Sequence, residues 1–210
     1  MTFMEGINVN YNRNDILKLL SLSPRRYEHT LGTEKCALEL ARTHHPEIDP
    51  EKVSFCALLH DMTKEYSVEE HIKTAFRYGI SFEKNDLASP KLLHSKTASY
   101  ICRYELKLDD DMCDAVFYHT TGRPAMTPLE EIIYLADYIE ETRKDSEGVL
   151  LRKQYFELLS ENEPRIALDK TLILSFDRTI YNLLEKGYLV DKNTIDARNY
   201  YVSKTLDNIK

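Results

Sequence analysis

The sequence predicts an all-α protein. Apolar residues recur at helical spacing along most of the 210-residue chain, and the strict alternation that marks β-strands is absent. Helix-start signals separate the apolar stretches, where serine, threonine or aspartate precedes proline or acidic residues. Only six glycines occur, without a glycine-rich phosphate loop, which excludes a P-loop or a Rossmann dinucleotide site.

The first two predicted helices lead into the chain's apolar centre. A short amphipathic helix is expected over 14–20. Ser23 and Pro24 then mark a helix start, with serine as N-cap and proline at the first helical position. This second helix carries His29 in its early turns and is expected to end around 43–46.

The third predicted helix closes on a polar doublet. It opens at Asp49-Pro50, and its mostly apolar run over 53–59 ends directly on His60 and Asp61. Polar side chains that follow seven mostly apolar residues indicate a site at the rim of the core, a placement that is rarer than a solvated charged face.

The middle of the chain holds four more predicted helices and one loop. Ser67 and Glu70 fit a capping box before a short helix, and a loop is expected over 82–90. Three further helices follow, at 94–106, at 109–119, and from Thr127 past Asp137.

Three helices are expected after Lys144, over 150–159, 164–186 and 194–209. No linker, repeat or low-complexity tract separates them from the rest of the chain. We therefore expect one helical domain over 1–210, with these last helices packed on the same core, and a separate small lobe is the alternative.

Composition and charge limit the function. The net charge is -7 and the pI about 5.6, which argues against nucleic-acid or membrane binding and confines any phosphate site to a local pocket. No signal peptide and no apolar run of about 20 residues are evident. The four cysteines form no C-x-x-C pair and fit buried thiols. These features predict a reduced, cytoplasmic protein.

Four side chains form a candidate metal site. His29, His60, Asp61 and Asp137 offer two nitrogens and two oxygens, which leaves two positions of an octahedral ion open for water and phosphate. Structural zinc sites favour cysteine, so iron, manganese or another octahedral divalent ion fits this set better. Because the ligands are far apart in sequence, their spacing alone proves little.

Five blocks of sequence carry a resemblance. They are Arg26-Tyr27-Glu28-His29-Thr30, Leu58-Leu59-His60-Asp61-Met62-Thr63-Lys64, Leu93-His94-Ser95, Tyr118-His119-Thr120-Thr121-Gly122-Arg123-Pro124 and Tyr134-Leu135-Ala136-Asp137-Tyr138-Ile139-Glu140. In this order they resemble the HD phosphohydrolase superfamily and, in finer detail, its YqeK-type branch of symmetrical diadenosine tetraphosphate hydrolases. The resemblance implies an HD-type helical bundle with a core over roughly 23–144, on which the helices of 145–210 pack.

The resemblance also implies an activity and a set of residues. An enzyme of this kind is an iron-dependent hydrolase that cuts the tetraphosphate bridge at its centre and releases two ADP molecules. Its metal ligands would be His29, His60, Asp61 and Asp137. Its catalytic residues would be Asp61, Lys64, His94 and His119. Its substrate contacts would include His29, Thr63, Lys64, His94, His119, Thr120, Asp137 and Arg143, with His94 and His119 facing either the phosphates or a second metal.

The chemistry agrees with these roles. A bound cation lowers the pKa of its water and supplies hydroxide near neutral pH, which can attack phosphorus in line. Lys64, Arg143, His94 and His119 would stabilise the negative charge of the transition state. Asp61 would be both a metal ligand and the residue that orients the attacking water.

Other interpretations stay open at this stage. The four ligands could form a satisfied polar network in a helical core, and His94 and His119 could be helix-end imidazoles. Lys64 could be solvated, and Arg143 could pair with an acidic neighbour. His44, His45 and His71 are expected at the surface.

Two other functions fit the same residues. The first is a phosphatase of mononucleotides or deoxynucleotides, and the second is a nucleotide sensor without activity. Analysis of the products would separate them. Exposed apolar positions on the C-terminal helices would permit a homodimer.

Overall fold

The computed structural model describes residues 11–83, 86–87 and 89–207, and this part of the chain holds ten α-helices and no strand. The helices are α1 Arg13–Leu19, α2 Pro24–His44, α3 Pro50–Leu59, α4 Val68–Tyr78, α5 Leu93–Tyr104, α6 Asp110–Tyr118, α7 Pro128–Ile139, α8 Ser146–Glu161, α9 Pro164–Glu185 and α10 Lys192–Asp207. A 3₁₀ turn over Pro90–Leu92 precedes α5. The predicted all-α class is confirmed.

A few expectations concern residues beyond this range. The interpretation of the first residues and of position 209 lies outside the described residues, as do positions 84, 85 and 88 of the predicted loop. The described part of that loop is not all irregular, because Asp86 and Leu87 are helical.

Side chains at the helix starts explain where the helices begin. Capping boxes, in which the N-cap side chain and the third helical residue bond each other's backbone N–H, are present at Asn12, Ser67 and Thr127. The predicted box at Ser67 is therefore confirmed. Ser23 does precede α2, but its N–H and hydroxyl donate to Glu65 instead of capping the helix.

Helices α3 and α7 form the centre of the molecule. Residues Val53 to Leu59 are buried on every side of α3, as expected of a helix that is apolar all round. Helix α7 is buried from Leu129 to Ala136. Helix α2 packs on both, and α6 packs on both from another side while also contacting α5. The carboxyl ends of α3 and α7 and the early turns of α2 define one place in the core.

The last three helices pack on this centre. Helix α9 contacts α2 and α7 as well as its neighbours α8 and α10. Phe176 of α9 and Tyr201 of α10 belong to the same core cluster as the residues of α3 and α7. No helix within the described ranges combines the length and apolar character needed to cross a membrane.

Three histidines expected at the surface lie deeper than predicted. His71 is buried, with Nδ1 2.9 Å from the hydroxyl of Thr97. His44 is half-buried, with Nε2 2.8 Å from the Tyr155 hydroxyl. His45 is also half-buried and lies 3.3 Å from a Glu131 oxygen. The surface prediction was wrong because each imidazole meets a polar partner from a helix distant in sequence.

Candidate metal centre

Four ligand atoms from three helices converge at one point. Nε2 of His29, in the second turn of α2, lies 2.9 Å from Oδ1 of Asp137 in the last turn of α7. Oδ2 of Asp61 is 3.6 Å from Nε2 of His29 and 3.5 Å from Nε2 of His60. Nε2 of His60 is also 3.6 Å from Oδ1 of Asp137. The structure thus brings together the four side chains predicted as ligands.

The His60-Asp61 doublet faces one point because the helix ends there. Successive residues of a continuous helix point about 100° apart. Helix α3 ends at Leu59, His60 is its C-cap, and the chain then makes a series of turns. His60 keeps helical backbone angles, and α2 and α7 bring His29 and Asp137 to the end of the helix, so that the two neighbouring side chains meet the same centre.

The imidazoles are locked in one tautomer. Nδ1 of His60 donates to the carbonyl of Ala57 at 2.7 Å, and Nδ1 of His119 donates to the carbonyl of Val116 at 2.7 Å. Nδ1 of His94 donates in the same way to Lys91. Because a carbonyl only accepts, each Nδ1 carries a hydrogen, so Nε2 is the nitrogen that can bind a metal once it has lost its own proton.

A buried carboxylate orients the fourth imidazole. Nδ1 of His29 donates to Oε1 of Glu140 at 3.0 Å, and Glu140 is fully buried. The hydroxyl and the N–H of Thr142 donate to the same carboxylate at 2.8 and 2.5 Å. A side chain at Gly32 would collide with Glu140, so glycine at that position makes room for the carboxylate. This arrangement directs Nε2 of His29 to the centre.

A second group of ligand atoms adjoins the first. Oδ1 of Asp61 lies 3.1 Å from Nε2 of His94 and 3.7 Å from Nε2 of His119, and the two nitrogens are 3.0 Å apart. Nζ of Lys64 is 3.0 Å from the same nitrogen of His94 and 3.2 Å from Asp61. Both histidines are buried, so the alternative of surface imidazoles does not apply. The two oxygens of Asp61 therefore face different groups.

Two arginines flank the carboxylates. Nη2 of Arg143 donates to Oδ1 of Asp137 at 2.8 Å, and its Nε donates to the Asp137 carbonyl. Nη1 of Arg26 donates to Oδ2 of Asp61 at 2.7 Å. Sequence reasoning did not assign a role to Arg26 or to Glu140. Both residues lie within the five sequence blocks, and this position was the one sequence feature that indicated a role at the site.

Two threonines of the predicted site differ in placement. The hydroxyl of Thr120 lies 3.4 Å from Nε2 of His119 and faces the cavity beside it. Thr63 is fully buried, and its hydroxyl donates to the carbonyl of His94 at 2.8 Å and contacts Thr97. The structure therefore does not bring Thr63 to the cavity, and it holds the start of α5 instead.

Electrostatics at the centre favour positive charge. Burial raises the pKa of Asp61, but His60 and Lys64 outweigh it and hold that pKa well below its usual range. Burial has the same effect on the pKa of Asp137, where Arg143 and His29 outweigh it. Burial lowers the pKa of His60, yet Asp61 and Asp137 raise it to about 10. Two ionised carboxylates thus face the imidazoles.

The donor set fits a divalent cation. Nε2 of His29, Nε2 of His60 and Oδ1 of Asp61 are buried and make no hydrogen bond of good geometry to a described residue, although other ligand atoms lie as close as 2.9 Å, and such atoms are costly unless something else binds them. Two ligands about 2.1 Å from an octahedral ion, at right angles, lie about 3 Å apart. The distances between 2.9 and 3.6 Å among the four ligand atoms agree with this spacing. Residues of both groups lie close enough together to hold a metal ion.

A cavity of about 520 Å³ opens beside the centre. It is lined by His119, Thr120 and Asp137 on the side of the ligands and by four further charged residues, Arg143, Asp145, Glu147 and Lys186. The volume lies within the usual range of ligand pockets, roughly 300–1,000 Å³. The cavity gives a phosphorylated ligand access to the centre.

Comparison with known proteins agrees with this geometry. The family model of the HD domain matches residues 26–142, more than half of the chain. The chain belongs to the HD domain family. The matched range of this HD domain includes all four side chains of the candidate metal site, His94 and His119.

Two relatives of this HD domain carry the name of an enzyme. The symmetrical bis(5'-nucleosyl)-tetraphosphatase of Bacillus subtilis is 34% identical over 195 residues, which cover 91% of this chain and 98% of the relative. The protein of the same name from Halalkalibacterium halodurans is 32% identical over 90% of this chain and 96% of the relative. This HD domain therefore belongs with a branch whose members match it almost end to end.

A solved structure shares the fold. A crystal structure from Clostridium acetobutylicum, described as a predicted HD superfamily hydrolase involved in NAD metabolism, superposes with a TM-score of 0.80 and is 34% identical. The alignment covers 92% of this chain and 98% of the other. It therefore extends past the HD match into the C-terminal helices.

Proposed function

We propose that this HD domain hydrolyses dinucleoside tetraphosphates at the centre of the phosphate bridge, and that it converts diadenosine tetraphosphate into two ADP molecules. The observation that carries the proposal is the His29, His60, Asp61 and Asp137 cluster, with its unpartnered buried ligand atoms, at a cavity that contains Arg143 and Lys186. The symmetrical tetraphosphatases that match over most of their length support the choice of substrate.

The four ligands would hold one divalent cation, and iron is the proposed metal. Two imidazole nitrogens and two carboxylate oxygens suit iron or manganese better than a thiolate-preferring ion. When bound, the cation supplies Lewis-acid stabilisation of phosphoryl oxygens and lowers the pKa of water.

Asp61 is placed to act on the attacking water. It is the side chain shared by both ligand groups, with Oδ2 towards His29 and His60 and Oδ1 towards His94 and His119. In the proposed reaction a water oxygen bonds to phosphorus, Asp61 orients it and accepts its proton, and the bridging P–O bond breaks. An Asp61→Asn enzyme that bound the metal normally and kept full activity would rule out a role as base.

Positive groups would stabilise the phosphates and the leaving ADP. Nζ of Lys64 lies beside Asp61 and His94, while Arg143 and Thr120 line the cavity. A tetraphosphate bridge carries several negative charges, so preorganised cations lower the energy of its transition state. Thr63 would contribute indirectly, by fixing the position of His94 through its carbonyl.

His94 and His119 would bind either phosphate oxygens or a second cation. Their nitrogens and Oδ1 of Asp61 form a group that could hold a metal ion. The ratio of bound metal to protein, measured by elemental analysis, separates the two arrangements. A ratio of two that falls to one in His94→Ala indicates a second metal, whereas a ratio of one in both proteins indicates phosphate contacts.

The test of the function is anaerobic turnover of diadenosine tetraphosphate with iron, manganese or zinc supplied in parallel. We expect ADP as the only product, and loss of both metal and turnover in His60→Ala. His44→Ala serves as the control, because His44 bonds Tyr155 away from the centre. Free phosphate released from mononucleotides would indicate a phosphatase. Bound metal and nucleotide without any turnover would indicate a sensor.

Further proposals concern the whole chain. The free cysteines, of which Cys56, Cys102 and Cys113 are buried, support a reducing cytoplasmic location. The acidic net charge supports the absence of a nucleic-acid partner. Exposed Phe156 and Leu184 on the last helices support a homodimer, which light scattering would detect. The shared core supports a single domain over 1–210.

A further inference from the structure

Helix α4 exposes a row of large apolar side chains. Val68, Ile72 and Phe76 follow one another at intervals of four residues, so they lie along one side of the helix. They are 47%, 50% and 91% exposed, and Phe76 is the most exposed large apolar side chain in the described ranges. The buried side of α4, with His71 and Ala75, packs chiefly on α5 and leaves this row outside. Because a helix normally turns such a row towards the core, its exposure indicates an interaction surface.

Charged side chains beside this row are divided by sign along α4. Glu69 and Glu70 lie in the first turn, Lys73 follows one turn later, and Arg77 lies in the last turn. All four are exposed. Glu69, Lys73 and Arg77 are also four residues apart and form a second row next to the apolar one. This second row is negative at the N-terminal end of the helix and positive at the C-terminal end.

The division of charge matches a second copy of α4 that runs in the opposite direction. About a twofold axis at Ile72, Val68 would face Phe76 of the second copy. Glu69 would face Arg77 of the second copy, and both contacts would occur twice. Parallel helices would place Glu69 beside Glu69 and Arg77 beside Arg77, where like charges repel. The antiparallel arrangement also opposes the two helix dipoles. The partner that fits this surface is therefore the same chain.

Ion pairs already present on α4 leave these contacts possible. Nζ of Lys73 lies 2.8 Å from Glu69, one turn earlier, and Nη1 of Arg77 lies 3.3 Å from Glu105 at the end of α5. The side chains of Glu69 and Arg77 remain 77% and 71% exposed. Because such surface pairs contribute little, sharing these charges with a second copy costs little. Lys73, which would lie near the twofold axis, keeps Glu69 as its neutralising neighbour.

We infer that α4 is the interface of a homodimer, in which the α4 helices of two copies pack antiparallel through Val68, Ile72 and Phe76. The last helices also expose Phe156 and Leu184, but α4 combines a continuous apolar row with charges that complement its own copy. Each copy contributes one helix of 11 residues, so the interface is small and the dimer is expected to dissociate on dilution. The inference concerns assembly and does not depend on the proposed reaction.

The first test follows association as the protein concentration rises. Sedimentation velocity of the 210-residue chain between about 1 and 500 μM should show monomers that convert into dimers. Phe76→Ser should weaken dimerisation about tenfold or more, because the dimer contains this side chain twice. Phe156→Ser on α8 is the matched control, since Phe156 is also exposed, and it should dimerise like the unchanged protein.

The second test exchanges charges and addresses the antiparallel arrangement. Glu69→Lys and Arg77→Glu should each weaken dimerisation about tenfold, because each variant alone places like charges opposite one another. An equimolar mixture of the two variants should dimerise like the unchanged protein, because the new lysine of one copy then faces the new glutamate of the other. Damage to the fold of α4 would not be repaired by mixing.

The inference is overturned if the unchanged chain stays monomeric over this range of concentration. It is also overturned if Phe156→Ser weakens the dimer as much as Phe76→Ser does, or if the mixture associates no better than either charge variant alone. Turnover of diadenosine tetraphosphate reports on the proposed function separately.

Discussion

Glu140 shows how a residue that provides no ligand can control the centre. Its carboxylate accepts from Nδ1 of His29 and from the backbone and side chain of Thr142. Glu140→Gln keeps the shape of the side chain but removes its charge. The NH₂ group of the glutamine would face the Thr142 N–H, and two donors cannot form a hydrogen bond. We expect metal affinity to fall about 10–100-fold, as is usual when the partner of a metal-binding imidazole is changed. Metal titration would measure this.

The neighbouring glutamate is the control. Glu141 is exposed and pairs with Lys35 at the surface. Glu141→Gln should leave metal affinity unchanged because exposed pairs contribute little. Equal losses in Glu140→Gln and Glu141→Gln would mean that Glu140 has no positioning role.

Gly32 sets two effects against each other. Alanine in the middle of α2 would gain up to about 1 kcal/mol of helix propensity over glycine. Its Cβ, however, would collide with Glu140 and would lie 3.1 Å from Cγ2 of Thr142, and overpacking costs about 1–3 kcal/mol. We expect Gly32→Ala to lower the free energy of unfolding and the metal affinity together. Increased stability with unchanged metal binding would show that Glu140 can move away.

The clustering of the proposed ligands was predictable from the sequence, and the residues that orient them were not. His29, His60, Asp61 and Asp137 are recognisable because their residue types have metal chemistry and the blocks around them occur in order. The role of Glu140 depends on a contact 111 residues away, between the ends of two helices. Thr63 lies in the sequence block that contains His60 and Asp61. Its hydroxyl nevertheless donates to the His94 carbonyl rather than facing the cavity, and the sequence does not show the direction of a side chain.

At the scale of elements, the turn between α6 and α7 makes a sharp prediction. Gly122 has a φ of +64°, and a Cβ there would lie 2.7 Å from the Phe176 ring of α9. Gly122→Ala therefore combines left-handed backbone strain of about 1 kcal/mol with overpacking of about 1–3 kcal/mol. Urea unfolding would measure the loss of stability.

Gly79 separates the two contributions. Its φ is +67°, and a Cβ there would meet nothing within 4 Å. Gly79→Ala should show the backbone strain alone, so the difference from Gly122→Ala reports the packing of the turn on α9. If both variants lose the same free energy, the contact with Phe176 adds nothing.

Most helix starts were predicted closely, whereas α8 begins at Ser146 rather than at the expected position 150. Caps at Ser67 and Thr127 use side chains within three residues, so local sequence specifies them. Helix α5 was expected to reach Leu106 but ends at Tyr104. Lys107 has a φ of +55°, and the Leu106 and Leu108 N–H groups bond back to Ile101 and Cys102. A lysine in this left-handed position gives none of the glycine signal that usually marks such an end.

At the scale of the whole molecule, a buried charge network joins the C-terminal helices to the centre. Glu131 of α7 accepts from both terminal nitrogens of Arg165 on α9, at 2.6 and 2.7 Å. It also accepts from the Tyr201 hydroxyl of α10 at 2.6 Å. His45, at the end of α2, lies 3.3 Å away. Four helices therefore meet at one carboxylate.

This network predicts a pH dependence of stability. Burial raises the pKa of Glu131, but His45, Arg165 and Tyr201 outweigh it and lower that pKa to about 2. Ionised Glu131 thus contributes about 3 kcal/mol to the free energy of unfolding above about pH 4.5. This contribution is lost as the pH falls towards 2. The hydrogen bond to Glu131 raises the pKa of His45, although burial lowers it. The stabilisation of the fold by protonated His45 is therefore present below about pH 6.5 and is lost at higher pH.

The Glu131→Gln variant tests the predicted direction of the pH dependence of stability. Urea unfolding between about pH 3 and 8 should show the largest difference from the unchanged protein between about pH 4.5 and 6.5, and a shrinking difference at lower pH. Glu157→Gln, at an exposed pair with Lys153, should follow the unchanged protein throughout. A difference between Glu131→Gln and the unchanged protein that stays constant with pH would contradict the role of the ionised carboxylate.

The sequence did not predict this network. The periodicity of each helix reveals its apolar face, but the partners of Glu131 come from positions 45, 165 and 201. Such contacts depend on how whole helices cross. The sequence indicated that the last three helices exist and left open which polar groups would join them.

The hydrogen bonds from His60, His94 and His119 to carbonyls three residues earlier have a consequence for metal exchange. Each of these rings is aimed by its own helical turn, so its direction is set during folding and owes nothing to an ion. A metal site whose imidazoles are oriented before the ion binds is not expected to select strongly among ions of similar size. Its affinity is then expected to follow the general order of divalent metals. Copper and zinc, which bind nitrogen and oxygen ligands more tightly than iron or manganese, are therefore expected to occupy the site when they are supplied in excess.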